Sequence, residues 1–216
     1  MAGRGRRGRS WASPTGNLYT SLLLIDPAPL EHLAELPLVA AVGIRDGLAS
    51  LPGLPDGCLA LKWPNDILAR GAKCVGILIE SERLSSGRLA VVIGCGVNVD
   101  WVPDDAPYKV TSLRREGLDA DLQSVFHHLA GGLERALFRW GRGTGFAAIR
   151  EEWLSASTGR GAPCVINLPD RSEEGRFVDL DAKGRLILER IDGSRVVHSA
   201  GDLFFRGLPG APVVNA

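Results

Sequence analysis

The sequence carries no net charge and contains no long hydrophobic run. Its 216 residues include 25 basic and 25 acidic side chains, so any affinity for anions has to come from a local cluster. No apolar stretch approaches the ~20 residues of a membrane-spanning helix, and the charged start lacks the apolar segment of a signal peptide. We therefore expect a cytoplasmic protein that does not associate with a membrane.

Cysteine is scarce and poorly spaced for a metal or redox site. The four cysteines are Cys58, Cys74, Cys95 and Cys164, and no two of them form a C-x-x-C pair. The four histidines show no ligand spacing with cysteines or carboxylates, which argues against a structural zinc site. We expect four free thiols that are buried among apolar neighbours, and no metal-binding residues.

The common nucleotide-binding and hydrolase motifs are missing as well. The sequence contains no G-x-x-x-x-G-K-[ST] loop, no G-x-G-x-x-G that opens a helix and no serine nucleophile elbow. If the chain binds a nucleotide, it binds the phosphates through a different type of structural element.

A short segment at the start of the sequence concentrates positive charge. Residues 3–11 read GRGRRGRSW, and no acidic residue precedes Asp26. Glycine frees the backbone and arginine binds anions through paired hydrogen bonds, so the segment suits a phosphate-bearing ligand. Two interpretations are open: a loop that closes over such a ligand, and a basic tail that contacts nucleic acid.

Hydrophobic periodicity predicts two domains. Strands are expected at 17–25, 58–63, 73–80 and 89–99, and helices at 37–51, 121–141 and 146–155. After a linker at 157–161, short strands at 164–168, 175–181, 185–191 and 195–199 suit a small barrel. The predicted fold class is α/β, with a mixed sheet flanked by helices at 1–160 and a small β-barrel at 161–216.

Polar residues follow the second predicted strand. Residues 62–66 read KWPND, so a buried strand delivers Asn65 and Asp66 onto a turn that proline stiffens. Lys73 opens the next strand, and a hairpin-like return places it near Asp66. Lysine is a compact cation that suits a carboxylate or an α-phosphate. The alternative is a solvated turn followed by a surface lysine.

The fourth predicted strand has a face that lacks side chains. Because side chains alternate along a strand, Gly94, Gly96 and Asn98 share one face. The two glycines leave room for a ligand beside an amide. A bulge or tight packing between a helix and the sheet would explain the same glycines.

Four motifs in this order resemble the biotin–protein ligases. They read GRGRRGRSWASPTGNLYTSLLL, KWPNDIL, KCVGIL with Lys73, and IGCGVNV. The C-terminal sequence DLDAKGRLILERIDGSRVVHSAGDLFF resembles the small SH3-like barrel of that family. The resemblance runs from Ala2 to Phe205. It implies a biotin/lipoate-ligase-like catalytic domain without a DNA-binding domain, followed by an SH3-like domain.

The resemblance implies a two-step reaction. Biotin and MgATP give biotinyl-5′-adenylate and pyrophosphate, and a lysine of a biotin carboxyl carrier protein then attacks the mixed anhydride. ATP, Mg²⁺ and biotin are therefore the expected ligands, and the carrier subunit of acetyl-CoA carboxylase is the expected partner. A homodimer is left open, and no specific nucleic acid is implied.

The resemblance also implies roles for individual residues. Lys73 bridges the biotin carboxylate and the α-phosphate, and Asp66 orients or deprotonates the incoming lysine. Arg4, Arg6 and Arg9 neutralise the biotin carboxylate, the phosphates and the leaving pyrophosphate. The Arg/Gly segment, disordered without ligand, orders over the adenylate and excludes water, while Trp11 packs near the adenine. The implied binding set is Gly3, Arg4, Gly5, Arg6, Arg9, Trp11, Asn65, Lys73, Gly76, Gly94, Gly96 and Asn98.

The sequence departs from the family pattern at its start. The family's catalytic domain carries further residues ahead of the basic loop, including a Ser/Thr-Asn turn and a Gln that contact the biotin rings. We therefore expect a form that is truncated at its N-terminus and binds biotin weakly. The alternatives are an inactive fragment of such a ligase, a lipoate-type ligase, and a nucleic-acid-binding protein that uses the Arg/Gly arm.

Overall fold

A computed structural model describes residues 3–5, 8, 10–119 and 121–206 of the chain. The first part contains β1 (Gly3–Arg4), β2 (Ser10–Trp11), β3 (Leu18–Ile25), α1 (Leu36–Ala49), β4 (Leu59–Lys62), β5 (Asp66–Ala69), β6 (Ala72–Arg83), β7 (Leu89–Val97), α2 (Leu122–Trp140) and α3 (Phe146–Ala156). The second part contains β8 (Pro163–Asn167), β9 (Ser172–Leu180), β10 (Leu186–Glu189), β11 (Arg195–His198) and β12 (Asp202–Phe205). Short 3-10 helices, Leu30–Glu35 and Gly141–Gly143, precede α1 and α3. Of the helices in these ranges, none has the length and apolarity needed to cross a membrane.

The larger sheet has the strand order β3-β7-β6-β5-β4, and every neighbouring pair is antiparallel. The α/β class is confirmed, but the prediction of a mixed sheet is corrected. Within the described residues, parallel pairing is confined to two isolated bridges, Leu61 to Ser157 and Lys73 to Val110. For three of the four pairs the reason is a short connection: between β5 and β6, for example, Arg70 and Gly71 turn with positive φ, and a tight turn can join only antiparallel strands.

Helix α1 covers one face of the larger sheet. Pro37 lies in its first turn, where the missing backbone N–H is not needed. Val91 and Ile93 of β7 point into the same core as α1. Val92 and Gly94 alternate with them and face the other way, so they lie on the face of the sheet that α1 does not cover.

Helix α2 packs across α1 through glycines on both helices. A Cβ added to Gly47 of α1 would lie 2.2 Å from the carbonyl oxygen of His128. A Cβ added to Gly132 of α2 would lie 2.2 Å from the carbonyl oxygen of Gly43. Glycine therefore lets the two backbones approach more closely than any other residue allows.

The C-terminal strands form a second antiparallel sheet with the order β11-β10-β9-β8-β12. Ile166, Phe177, Leu186 and Leu188 are fully buried in its core. The predicted β-rich C-terminal part is therefore confirmed. Strands β11 and β12 lie at opposite edges and do not pair over the described ranges, so the sheet is not closed there. The domain boundary after residue 160 stays a prediction.

The two sheets are connected by buried contacts. The Trp63 indole N–H donates to the Gly184 carbonyl at 3.3 Å, and Trp153 of α3 meets Phe177 of β9 edge-on with ring centres 6.4 Å apart. Gly184 has a φ of +75°, and a Cβ there would lie 2.9 Å from the side chain of Leu38. These contacts hold the C-terminal sheet, including β12, beside the turn that follows β4.

All four cysteines are free and buried, as the sequence predicts. Burial raises the pKa of Cys95 to about 12 and the pKa of Cys164 to about 11. Both thiols are therefore protonated at neutral pH, and the thiolate that reacts with oxidants is not formed.

The glycine contact between α1 and α2 predicts an unusual response to alanine. Gly→Ala in a helix normally stabilises by ~1 kcal/mol, but Gly132→Ala should instead lower the free energy of unfolding by ~1–3 kcal/mol, because the new methyl group meets backbone atoms. Gly131→Ala is the matched control, since a Cβ there meets only the Arg135 side chain, at 3.3 Å. Urea unfolding measures both variants; equal stabilisation of the two would contradict the close contact.

A charged cluster in the C-terminal sheet surrounds a buried histidine. The Glu173 carboxylate accepts hydrogen bonds from Arg171 at 2.8 Å and from Arg190 at 2.7 Å, and lies 3.6 Å from Nε2 of His198. His198 is 7% exposed, and its Nε2 has no hydrogen-bond partner in the described part of the chain. Burial lowers the pKa of His198 below its usual value, against a smaller opposing effect of Glu173.

The lowered pKa of His198 predicts that acid weakens the fold. Below about pH 6.5 the unfolded chain takes up a proton on this histidine more readily than the folded chain does. Its contribution to stability is therefore complete above that pH and declines as the pH falls towards the folded-state pKa. Urea unfolding at about pH 7.5 and at about pH 5.5 gives the difference in free energy. His198→Gln should make this difference smaller; an unchanged difference would assign the effect to other groups.

Candidate functional site

A cleft of about 870 Å³ lies on the face of the larger sheet that α1 does not cover. Its floor comes from β6 and β7, and its walls come from the turn after β4, residues 107–109, the β1–β2 hairpin and β12. The cleft is therefore lined by both five-stranded sheets and by the basic segment at the start of the chain.

An ion pair stands at one end of this cleft. The Nζ of Lys73 lies 2.7 Å from the Asp66 carboxylate, and the side chains are 15% and 20% exposed. Asp66 begins β5 and Lys73 lies at the start of β6, so the hairpin between these strands brings them together. This proximity is the one that the hairpin-like return in the sequence predicts. Because the pair is shielded from water, each charge fixes the position of the other.

Asn65 connects the turn after β4 to the floor of the cleft. It is buried, and its side-chain amide donates to the carbonyl oxygen of Ile77 on β6. It follows a cis peptide bond between Trp63 and Pro64. Trp63 is buried as well, so this turn is packed on both sides rather than solvated.

Two cross-strand glycines form a bare floor, and an indole covers it. Gly76 of β6 pairs with Gly96 of β7. A Cβ on Gly76 would lie 2.5 Å from the Trp11 ring, and a Cβ on Gly96 would lie 2.7 Å from it. The space predicted for a ligand therefore exists and is filled by Trp11. At Gly94 the nearest atom, the Leu78 carbonyl oxygen, is 3.5 Å away, so the floor stays open there.

The Trp11 indole that covers the floor has a hydrogen-bond donor without an acceptor among the described residues. The Nε1 of Trp11 is buried without a hydrogen-bond partner in the part of the chain that the structure describes. A buried donor without an acceptor is unfavourable by ~1–3 kcal/mol. The orphaned N–H and the bare glycines distinguish this surface from the apolar core on the other face of the sheet.

Two aromatic rings lie within cation–π distance of the Lys73 ammonium. Its Nζ lies 5.4 Å from the ring centre of Trp11 and 5.3 Å from that of Tyr108. Sequence reasoning missed Tyr108, which lies in an irregular connection without periodicity. Its place is set by backbone pairing: the N–H of Lys73 donates to the carbonyl of Lys109 at 2.9 Å, and the N–H of Thr111 donates to the carbonyl of Lys73 at 3.0 Å.

Asn98 does not line the cleft. Strand β7 ends at Val97, and the Asn98 side chain is buried and donates to the Thr111 carbonyl at 3.1 Å. The alternation that placed this amide beside the glycines stops where the strand stops. Its structural role is to anchor the connection that carries Tyr108.

The basic segment forms one wall of the cleft. Gly3 pairs with Trp11 and Arg4 with Ser10, and Gly3, Arg4 and Gly5 line the cleft. The Arg4 guanidinium is 80% exposed and lies 4.0 Å from Glu80. Arg6, Arg7 and Arg9 lie outside the described residues, so the expected ordering of this segment is not tested for them.

The C-terminal sheet contributes the opposite wall. The Nζ of Lys62, at the end of β4, lies 4.9 Å above the Phe204 ring of β12. Thr158 and Asp202 line the same corner. Sequence reasoning noted the KWPND turn but missed its contact with β12, because that contact depends on how the two sheets pack against each other.

Family profiles match both parts of the chain. The biotin/lipoate A/B protein ligase family matches residues 1–98, and the biotin protein ligase C-terminal domain matches residues 161–206. The first match contains Trp11, the ion pair and the glycine floor. The second contains the sheet that supplies Phe204.

Individual proteins give the same result. The chain is 36% identical to the biotin–[acetyl-CoA-carboxylase] ligase of Paracoccus denitrificans, over 96% of this chain and 88% of that protein. It is 34% identical to the bifunctional ligase/repressor BirA of Bacillus subtilis, over 92% of this chain but only 62% of that protein. The solved biotin protein ligase of Aquifex aeolicus in complex with biotin and ATP matches with a TM-score of 0.79 and 28% identity, covering 94% of this chain and 84% of that one. The chain therefore belongs to the biotin protein ligase family of enzymes.

Proposed function

We propose that this chain joins biotin to a lysine of a biotin carboxyl carrier protein, with biotinyl-5′-adenylate as the intermediate. The observation that carries the proposal is the Lys73–Asp66 pair at the end of a glycine floor, in a chain whose relatives are biotin protein ligases. A planar or ring-shaped ligand fits a floor without side chains, and a carboxylate or phosphate fits the ammonium beside it.

In the first step, a biotin carboxylate oxygen attacks the α-phosphorus of ATP. The new bond is the P–O bond of the mixed anhydride, and the bond to the bridging oxygen of pyrophosphate breaks. The carboxylate and the α-phosphate are both negatively charged as they approach, and negative charge then moves onto the departing pyrophosphate. Lys73 neutralises this charge from a fixed position, and Arg4, which lines the same cleft, supplies a second cation.

In the second step, the amine of the acceptor lysine attacks the carbonyl carbon of the anhydride. The amide bond forms, AMP leaves with the bonding electron pair, and the amine loses a proton. Asp66 is the group of the cleft that orients this amine and takes part in removing its proton. Its ion pair with Lys73 at 2.7 Å holds the carboxylate in place for that role.

Mg²⁺ fits this cleft as a companion of ATP rather than as a resident ion. Over the described ranges, no three His, Cys, Asp or Glu side chains are grouped to hold a metal. Magnesium in nucleotide sites takes its ligands mainly from phosphates and waters, with one or two carboxylates. Glu80 and Asp202 are the cleft carboxylates outside the Lys73 pair that would supply one. Bound there, Mg²⁺ would neutralise the phosphate oxygens.

The acceptor is proposed from the relatives. The Paracoccus protein is named for acetyl-CoA carboxylase, so the carrier subunit of that enzyme is the proposed partner. The homodimer that was left open, the absence of a specific nucleic acid and a cytoplasmic location remain predictions. A lipoate-type ligase is less well supported, because the match at 161–206 is to the C-terminal domain of biotin protein ligases.

The role of Lys73 predicts a large loss on its removal. Lys73→Ala should lower biotin-dependent ATP–pyrophosphate exchange by about 10²–10³-fold, because it deletes a preorganised charge aimed at developing charge. Lys183→Ala, at an exposed turn of the C-terminal sheet, is the control and should retain exchange. Normal exchange in a folded Lys73→Ala chain would contradict the role, and exchange with lipoate in place of biotin would favour the alternative ligase.

The position of Arg4 predicts protection by the intermediate. Arg4 is exposed and lines the cleft, so trypsin should cleave after it more slowly when a stable biotinyl-adenylate analogue fills the cleft. Cleavage after the exposed Arg195 of β11 is the internal control, since β11 does not line the cleft. Equal cleavage after Arg4 with and without the analogue would show that this segment does not close over the ligand.

A further inference from the structure

We infer that Tyr108 is a positioning residue for Lys73, with its ring face holding the ammonium group against Asp66. This inference rests on the proposed function of Lys73. It concerns an aromatic side chain that neither the motifs nor the periodicity of the sequence single out.

The distances support an attraction between the ring and the ammonium. The Nζ of Lys73 lies 5.3 Å from the centre of the Tyr108 ring, inside the ~6 Å at which a cation is attracted to an aromatic face. The Asp66 carboxylate lies 2.7 Å from the same atom. The ammonium is thus in contact with a carboxylate and with the face of an aromatic ring at the same time.

Backbone hydrogen bonds fix the position of residue 108 independently of the side chain that it carries. Lys73 and residues 109–111 exchange two hydrogen bonds, of 2.9 and 3.0 Å. The Asn98 side chain donates to the Thr111 carbonyl at 3.1 Å and fixes the same connection from behind. A substitution at Tyr108 therefore changes what faces the ammonium and leaves the anchors of the connection in place.

Tyr108 and Trp11 differ in what supports them. Trp11 belongs to the basic segment and covers the glycine floor, so a ligand on that floor has to displace its ring. Tyr108 lies on the anchored connection and is able to stay on Lys73 when the floor is filled. Since a lysine side chain has a long flexible stem, a ring that stays in place limits the positions its ammonium takes up during the reaction.

Two substitutions separate the ring face from the hydroxyl and from side-chain volume. Tyr108→Phe keeps the ring, and Tyr108→Leu keeps an apolar side chain without a ring. We expect Tyr108→Phe to retain ATP–pyrophosphate exchange and Tyr108→Leu to lose about 3- to 30-fold in kcat/KM. Trp101→Leu is the matched control, because Trp101 is an exposed aromatic of the same irregular stretch that does not line the cleft, and should retain exchange.

A second measurement reports the placement without activity. The chain has four lysines, Lys62, Lys73, Lys109 and Lys183, so the ε-methylene NMR signals of selectively labelled lysine can be assigned by substitution. The signal of Lys73 should move downfield in Tyr108→Leu, where the ring current is lost, and stay close to its original position in Tyr108→Phe.

The two measurements distinguish the possible failures. Equal exchange in all Tyr108 variants, or equal losses in Phe and Leu, would overturn the positioning role, as would an unmoved Lys73 signal in Tyr108→Leu. Normal exchange in Lys73→Ala would instead overturn the proposed function of Lys73, and the NMR signal would still report whether the ring lies on the ammonium.

Discussion

The site depends on a single constraint, which is that one face of the larger sheet stays bare at Gly76 and Gly96. Any side chain there would meet the group that lies on the floor, since even a Cβ comes within 2.7 Å of the Trp11 ring. Glycines weaken a strand because they supply no side chain to pack. The support has to come from the other face, where β7 residues such as Ile93 pack with α1, and α2 backs α1 through glycines of its own.

The β5–β6 hairpin places the charged side chains of Lys73 and Asp66 at the end of the glycine floor. The β5–β6 hairpin turns through Arg70 and Gly71 and returns Lys73 to Asp66. A partly buried pair of this kind is rigid, because moving either charge leaves the other poorly solvated. The same pair therefore keeps its place in the ligand-free cleft, and under the proposed function it presents a cation for anhydride chemistry and a carboxylate for the incoming amine.

The parts of the site that the sequence predicted are those that local rules control. Asp66 and Lys73 are seven residues apart across a turn, so hairpin geometry is enough to bring them together. Strand alternation predicts that Asn98 shares a face with Gly94 and Gly96, but β7 ends at Val97 and the alternation does not apply to the next residue. Tyr108 reaches the cleft through an anchored connection, and Phe204 reaches it because the C-terminal sheet packs beside the turn after β4. No local pattern encodes either of these long-range contacts, so the sequence did not indicate them.

The Trp11 indole occupies the space above the glycine floor, so a ligand that lies on this floor has to replace it. Two rings cannot occupy the space above Gly76 and Gly96 at once, so Trp11 has to leave that position before a ligand lies there. The exchange gives up the apolar burial of the indole, and it releases an Nε1 donor that is buried without a partner. These two effects oppose each other. The floor is thus covered in the free chain by a group with one donor that is unpaired within the described residues, and under the proposed function a ligand that buries similar area and also pairs with Lys73 compensates for the loss of that cover.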